Sequence, residues 1–192
     1  MKDNGIIEIT FHGRGGQTAV TASQLLAEMT YEKGFEDAIA IPIIGAERRG
    51  APIMAFTKVS KESKIRTYDS VKHPDYIMIF DTSLLEIPRI RESIPEDVIL
   101  IINSKTKLNK EYLPKNAKVY IVDATGICIE EQFMHSSGPI LNIPMLGAFG
   151  KVSGYFGLDT MKTVLKNVFG EKKIEKNMAV ANRAFDTVKE LK

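Results

Sequence analysis

Three short runs constrain this chain most: YIMIF at residues 76–80, VILII at 98–102 and VYIV at 119–122. Each is apolar throughout instead of at every second position. Side chains along a strand point alternately to the two faces of a sheet, so a run without alternation needs apolar cover on both sides. Parallel sheets have that cover, because the connection between parallel neighbours crosses over a face. The rest of the chain fits the same plan. Residues 6–11 form a β-branched and aromatic run, and after a glycine cluster Ala19, Ala22, Leu26 and Met29 recur at helical spacing until Gly34. AIAIPI at 38–43 reads as a second strand and 53–59 as a third, in a hairpin with 64–68. The pattern predicts an α/β fold, a three-layer domain with a mostly parallel, Rossmann-like sheet and a helical C-terminus. At 192 residues one hydrophobic core suffices, and no repeat or linker divides it, so residues 1–192 are expected to form a single domain.

Composition removes several function classes. No apolar stretch approaches the roughly 20 residues that a membrane span needs. The opening MKDNG leads into a strand pattern instead of a signal-peptide core, so a cytoplasmic protein with no membrane partner is expected. A formal net charge of +2 lacks the basic excess on which nucleic-acid binding rests. The single cysteine, Cys128, excludes an intrachain disulfide and any cysteine-held zinc or iron–sulfur site built from this chain alone. It reads as a buried apolar filler. His12, His73 and His135 have no recognisable partners in sequence, so no catalytic residue and no metal ligand is assigned.

The first candidate site is HGRGGQ at residues 12–17, followed by Thr18. A dinucleotide fingerprint, G-x-G-x-x-G, would use its third glycine to pack helix on strand, but Thr18 stands there. The ribose-binding carboxylate is also out of place, since Glu36 and Asp37 precede the second strand. No G-K-[ST] follows, which excludes a P-loop. What remains is a strand-end turn of Gly13, Arg14, Gly15, Gly16 and Gln17 at a helix N-terminus, with free backbone donors suited to an anion. A plain, sharp strand-to-helix turn fits the same residues. The second site is the loop IGAERRGAP at 44–52, which sets Glu47, Arg48 and Arg49 among small residues directly after a strand. Loops at the carboxyl ends of parallel strands line the ligand crevice, so the two turns are expected at one sheet edge. A salt bridge from Glu47 to one arginine, with the other solvated, is the competing reading. Residues 131–156 are rich in Gly, Pro, Ser and Asn and are expected to form a long irregular, functional segment, with NIPMLGAFGKVSG spaced for close backbone packing.

Six segments then carry a resemblance: HGRGGQ, TASQLLAE at 21–28, GAERRGAP at 45–52, VDAT at 122–125, NIPMLGA at 142–148 and NRA at 182–184. In this order, and over nearly the whole chain, they resemble the gamma subunit of pyruvate (2-oxoacid):ferredoxin oxidoreductases. The charged loop is similar to that of the pyruvate and branched-chain enzymes, whereas the indolepyruvate subunit tends to carry a serine–glutamine–arginine version. Thr18 departs from the family, which usually has glycine there.

The resemblance implies a multisubunit enzyme that decarboxylates pyruvate oxidatively with coenzyme A, giving acetyl-CoA, CO2 and reduced ferredoxin. Its cofactors would be thiamine diphosphate, Mg2+, iron–sulfur clusters and coenzyme A, with none bound by this chain alone. The implied partners are alpha, beta and delta-type subunits, and ferredoxin indirectly. The chain would assist assembly, with Gly13 to Gln17, Glu47, Arg48 and Arg49 meeting a coenzyme A phosphate or another subunit. A stand-alone nucleotide-binding protein and the branched-chain or indolepyruvate versions of the complex are the alternatives. Ile174, Met178, Ala181, Phe185 and Val188 repeat at intervals of four and three, an apolar stripe that fits the chain's own core or a partner groove.

Overall fold

The computed structural model describes residues 5–43, 49–106 and 108–191. A seven-stranded sheet forms its frame, built from β1 (Ile6–Arg14), β2 (Asp37–Pro42), β3 (Pro52–Ser60), β4 (Tyr76–Ile79), β5 (Ile99–Asn103), β6 (Lys118–Val122) and β9 (Lys189–Glu190), in the order β2-β3-β1-β4-β5-β6-β9. β1, β4, β5 and β6 pair in parallel, as their unbroken apolar runs require. β3 runs antiparallel to both β1 and β2, so β2 shares the direction of the parallel set. β9 closes the far edge antiparallel to β6.

Alternation along each strand splits the core in two. Ile9, Phe11, Met78 and Ile101 face one side, where α1 (Ala19–Glu32), α3 (Ala124–Glu130), α4 (Asn142–Ser153), α5 (Leu158–Phe169) and α6 (Glu171–Thr187) pack. Ile77, Ile79, Leu100 and Ile102 face the other, under Leu85 and Ile94. That second layer is thin: a 3-10 turn at Thr82–Glu86, the one-turn α2 (Pro88–Glu92), a 3-10 turn at Lys110–Tyr112, and coil. The three layers are therefore unequal in depth.

Three expectations need correction. Residues 64–68 form no hairpin with β3, because both edges of β3 are occupied by β1 and β2. Residues 131–156 are not irregular. They hold a short hairpin of β7 (Met134–His135) and β8 (Gly138–Pro139), then α4. Pro144 lies in the first turn of α4, where a missing N–H costs nothing. Every residue from Asn142 to Gly150 is buried, so α4 is a core helix, apolar all round. Gly147 has a physical reason to be glycine: a Cβ there would lie 2.5 Å from the Ala181 carbonyl oxygen of α6. The α6 stripe is rotated from expectation, with Ile174, Val180, Ala181 and Ala184 buried and Met178, Phe185 and Val188 half-buried.

Among the described residues, no helix is long and apolar enough to cross a membrane.

Candidate functional site

The carboxyl ends of β1, β4, β5 and β6 converge, and each contributes a polar side chain. The turn after β1 is compact because Gly13 admits α1: a Cβ on Gly13 would stand 2.9 Å from the Ala19 Cβ. Gly16 then takes a positive φ of 96°, open to glycine without strain. Gln17 folds back, its backbone N–H donating to the Arg14 carbonyl at 2.9 Å and its Oε1 accepting from the Arg14 N–H at 2.8 Å.

Arg14 is committed within the protein. Its Nε donates to Asp81 Oδ2 at 3.0 Å, its Nη1 to the Gly50 carbonyl at 3.0 Å and its Nη2 to Ser83 Oγ at 2.6 Å. Asp81 also accepts from Gln17 Nε2, from the Ser83 hydroxyl at 2.6 Å and from the Ser83 N–H at 3.0 Å. Burial alone would push the Asp81 carboxyl up, but the Ser83 bonds, the Gln17 bond and the Arg14 charge together hold it below its ordinary value. The guanidinium thus locks β1 to the end of β4 and to the loop before β3. The turn's backbone is equally occupied: the Gly15 N–H donates to the Ala51 carbonyl at 2.9 Å, and the Gly50 N–H to the Gly15 carbonyl at 3.1 Å. The expectation of freely available donors holds only for Gly16 and Thr18, whose N–H groups have no partner among the described residues.

Arg49 sits beside Gly15 through an isolated parallel bridge, exposed, with no ion pair among the described residues. Glu47 and Arg48 lie outside the described residues. Arg14, Arg49, Gly16 and Thr125 line one cavity of about 360 Å3 together with Ser137 and Leu141. The first turn and the described end of the second, Arg49 and Gly50, therefore share a sheet edge. Of VDAT, Thr125 lines the cavity: Asp123 caps α3 by accepting the Gly126 N–H at 2.8 Å, and the Thr125 N–H donates to Asn103 Oδ1 at 3.1 Å. Asn103 Nδ2 donates to Thr125 Oγ1 and to the Phe80 carbonyl, both at 2.9 Å. Sequence reasoning misses Asp81, Ser83 and Asn103, which stand in short polar runs, DTS at 81–83 and NSKT at 103–106, directly past apolar strands. That position is itself the signal.

Thr18 is a left-handed residue, φ 61° and ψ 19°, which explains a preference for glycine at this point. Its hydroxyl accepts the N–H of Asn142 at 3.0 Å. Thr18 thereby caps α4 from 124 residues away in sequence, while the Asn142 side chain accepts the Ile143 N–H at 2.9 Å. The NRA segment is structural: Arg183 Nη1 donates to Glu131 Oε1 at 2.7 Å and Nη2 to Glu130 Oε2, tying α6 to α3. His12 lies outside this edge, on the opposite face from Phe11. Burial lowers its pKa to about 4, so it is neutral near pH 7.

The residues present do not fit an iron–sulfur cluster, since the one cysteine is wholly buried and its thiol is pushed up to about 12 by burial. No group of three His, Cys, Asp or Glu suited to a metal occurs among the described residues.

The profile of the pyruvate ferredoxin/flavodoxin oxidoreductase family matches residues 8–187. The chain is 39% identical over 184 residues to pyruvate synthase subunit PorC of Methanothermobacter marburgensis, covering 96% of this chain and 98% of that one. It is also 39% identical over 184 residues to the pyruvate/ketoisovalerate oxidoreductases common subunit gamma of Pyrococcus abyssi, covering 94% and 96%. The solved structure of pyruvate oxidoreductase subunit PORC from Thermotoga maritima superposes with a TM-score of 0.83 at 34% identity, over 98% of this chain and all of that one. This chain therefore belongs to the pyruvate ferredoxin/flavodoxin oxidoreductase family, as a chain of its gamma-subunit type.

Proposed function

We propose that this chain serves a thiamine diphosphate-dependent complex that oxidises pyruvate with coenzyme A to acetyl-CoA, CO2 and reduced ferredoxin, and that its strand-end cavity turns toward a coenzyme A phosphate. The observation that carries this reading is the meeting of Arg14 to Gln17, Arg49 and Thr125 in one cavity, with the Arg49 guanidinium and the Gly16 N–H left unpaired among the described residues. A guanidinium beside open backbone donors suits a phosphate. Arg14, Gly13, Gly15 and Gln17 act by shaping the turn instead of touching the ligand. Glu47 and Arg48, outside the described residues, are proposed to meet the same ligand.

Thiamine diphosphate, Mg2+ and the iron–sulfur clusters are assigned to alpha, beta and delta-type partners, because this chain has neither the cysteines nor a metal-ligating group among its described residues. Residues 1–192 act as one domain of that assembly, in the cytoplasm. Tagging the chain in its native cells and isolating what it carries tests the reading. Companions with thiamine diphosphate and iron–sulfur absorbance, and coenzyme A-dependent viologen reduction by pyruvate, are expected. A chain that purifies alone, without that activity, refutes it.

A second reading is supported by the Pyrococcus relative, which is described as common to pyruvate and ketoisovalerate enzymes. This chain would then join two sets of partners. The same isolation distinguishes the two, since a shared subunit brings down branched-chain 2-oxoacid activity in a separable fraction.

A further inference from the structure

The thin face of the sheet leaves a half-open cavity of about 910 Å3 over β1 and β3, within the range of small-molecule sites. Its walls are Phe56, Ile77, Val71 and Ile90. Its floor is polar. Thr10 and His12 are same-face neighbours on β1, each only 3% exposed. The Thr10 hydroxyl is buried with no hydrogen-bond partner, and the His12 imidazole makes no side-chain hydrogen bond among the described residues. A buried hydroxyl without a partner costs stability and gains nothing in the chain by itself. Lys72 and Arg89 are exposed at the mouth, and no Asp or Glu lines the cavity among the described residues.

We propose that this cavity binds a small amphiphilic carboxylate, with a hydroxyl or carbonyl hydrogen-bonded to Thr10 and His12, an apolar body against Phe56 and Ile77, and its carboxylate at Lys72 and Arg89. Each part answers one feature. The neutral imidazole offers one donor and one acceptor, and the hydroxyl can do either, so the deep group is polar but uncharged. Burying a charge there would lack any counter-ion, whereas two cations wait at the rim. The apolar walls exclude a wholly polar ligand such as a free phosphate. This inference is independent of the coenzyme A reading, since it uses neither Arg49 nor the strand-end turn.

The test uses the full chain and three probes: octanoate, 8-hydroxyoctanoate and octan-1-ol, followed by methyl and imidazole NMR. Both carboxylates should shift the Ile77 and Ile90 methyl signals and the His12 ring. 8-Hydroxyoctanoate should bind about fivefold more tightly than octanoate, the return on one hydrogen bond. Thr10→Val should erase that difference with the fold intact. Lys72→Met with Arg89→Met should weaken both carboxylates about fivefold and leave octan-1-ol unchanged. Shifts that map elsewhere, no shift up to the solubility of the probes, or a hydroxyl preference that survives in Thr10→Val would overturn the proposal. So would loss of octanoate binding in the assembled complex, because a partner subunit would then be the occupant.

Discussion

Substitution of Thr18 sets two opposing contributions against each other. The residue holds a left-handed backbone, φ 61°, which costs a β-branched side chain about 1–2 kcal/mol. In return its hydroxyl satisfies the Asn142 N–H, in a residue only 3% exposed. Leaving that donor unpaired costs about 1–3 kcal/mol. Thr18→Ala loses the bond and keeps most of the backbone strain, so it should destabilise the chain by about 2 kcal/mol. Thr18→Gly also loses the bond but relieves the strain, and the extra freedom of glycine in the unfolded state returns roughly 0.5–1 kcal/mol of that relief. Its net loss should be about 1 kcal/mol, smaller than for alanine. Thr18→Ser keeps the acceptor and should stay within about 0.5 kcal/mol of the parent. Urea unfolding at neutral pH, with equal m-values across the series, reads these differences, which correspond to roughly 2–4 °C in Tm per kcal/mol. Alanine as stable as threonine would show that the hydroxyl carries no load. Glycine less stable than alanine would show that the left-handed backbone is unstrained, and either result refutes the reasoning.

Three further outcomes follow from the core. His12 binds its proton less well folded than unfolded, with the folded pKa at about 4 against 6.5, so stability is full above pH 6.5 and falls as pH drops toward 4. The loss should be about 3 kcal/mol over that window and absent in His12→Gln, judged by urea unfolding at several pH values. Gly147→Ala places a methyl against the Ala181 backbone and must part α4 from α6, so a loss of about 3 kcal/mol is expected from denaturant curves. Cys128, wholly buried with its thiol pushed up to about 12, should resist a disulfide reagent at pH 8 and react once the chain is unfolded in urea. Rapid labelling of the folded chain would contradict its place in the core.

The unbroken apolar runs identified the parallel strands because burial on both faces leaves a plain trace in composition. The same reasoning missed α4. The Gly, Pro, Ser and Asn content of 131–156 suggests an irregular segment, yet Pro144 falls in the first turn of α4; the close backbone packing expected of NIPMLGAFGKVSG is there, at Gly147 against α6, thirty or more positions away. The misplaced hairpin at 64–68 has a similar origin, since local pattern cannot tell that both edges of β3 are taken. At the strand ends, HGRGGQ, the arginine loop and VDAT were legible as compact motifs. Asp81, Ser83 and Asn103 were not, because polar residues just past a strand are common and these acquire a role only when β4 and β5 lie beside β1. Arg14 shows the limit most clearly: its position at the site was readable, but its three bonds to Asp81, Ser83 and Gly50, which make it a clamp between strands, were not.

The most direct measurement is the coenzyme A dependence of pyruvate-driven viologen reduction by the assembled complex carrying Arg49→Met. If the exposed guanidinium beside Gly15 meets a coenzyme A phosphate, KM for coenzyme A should rise at least about tenfold, the return on one charge-assisted hydrogen bond. KM for pyruvate and the size of the complex should not change. An unaltered KM for coenzyme A in a fully assembled complex would contradict the assignment of the strand-end cavity to that ligand.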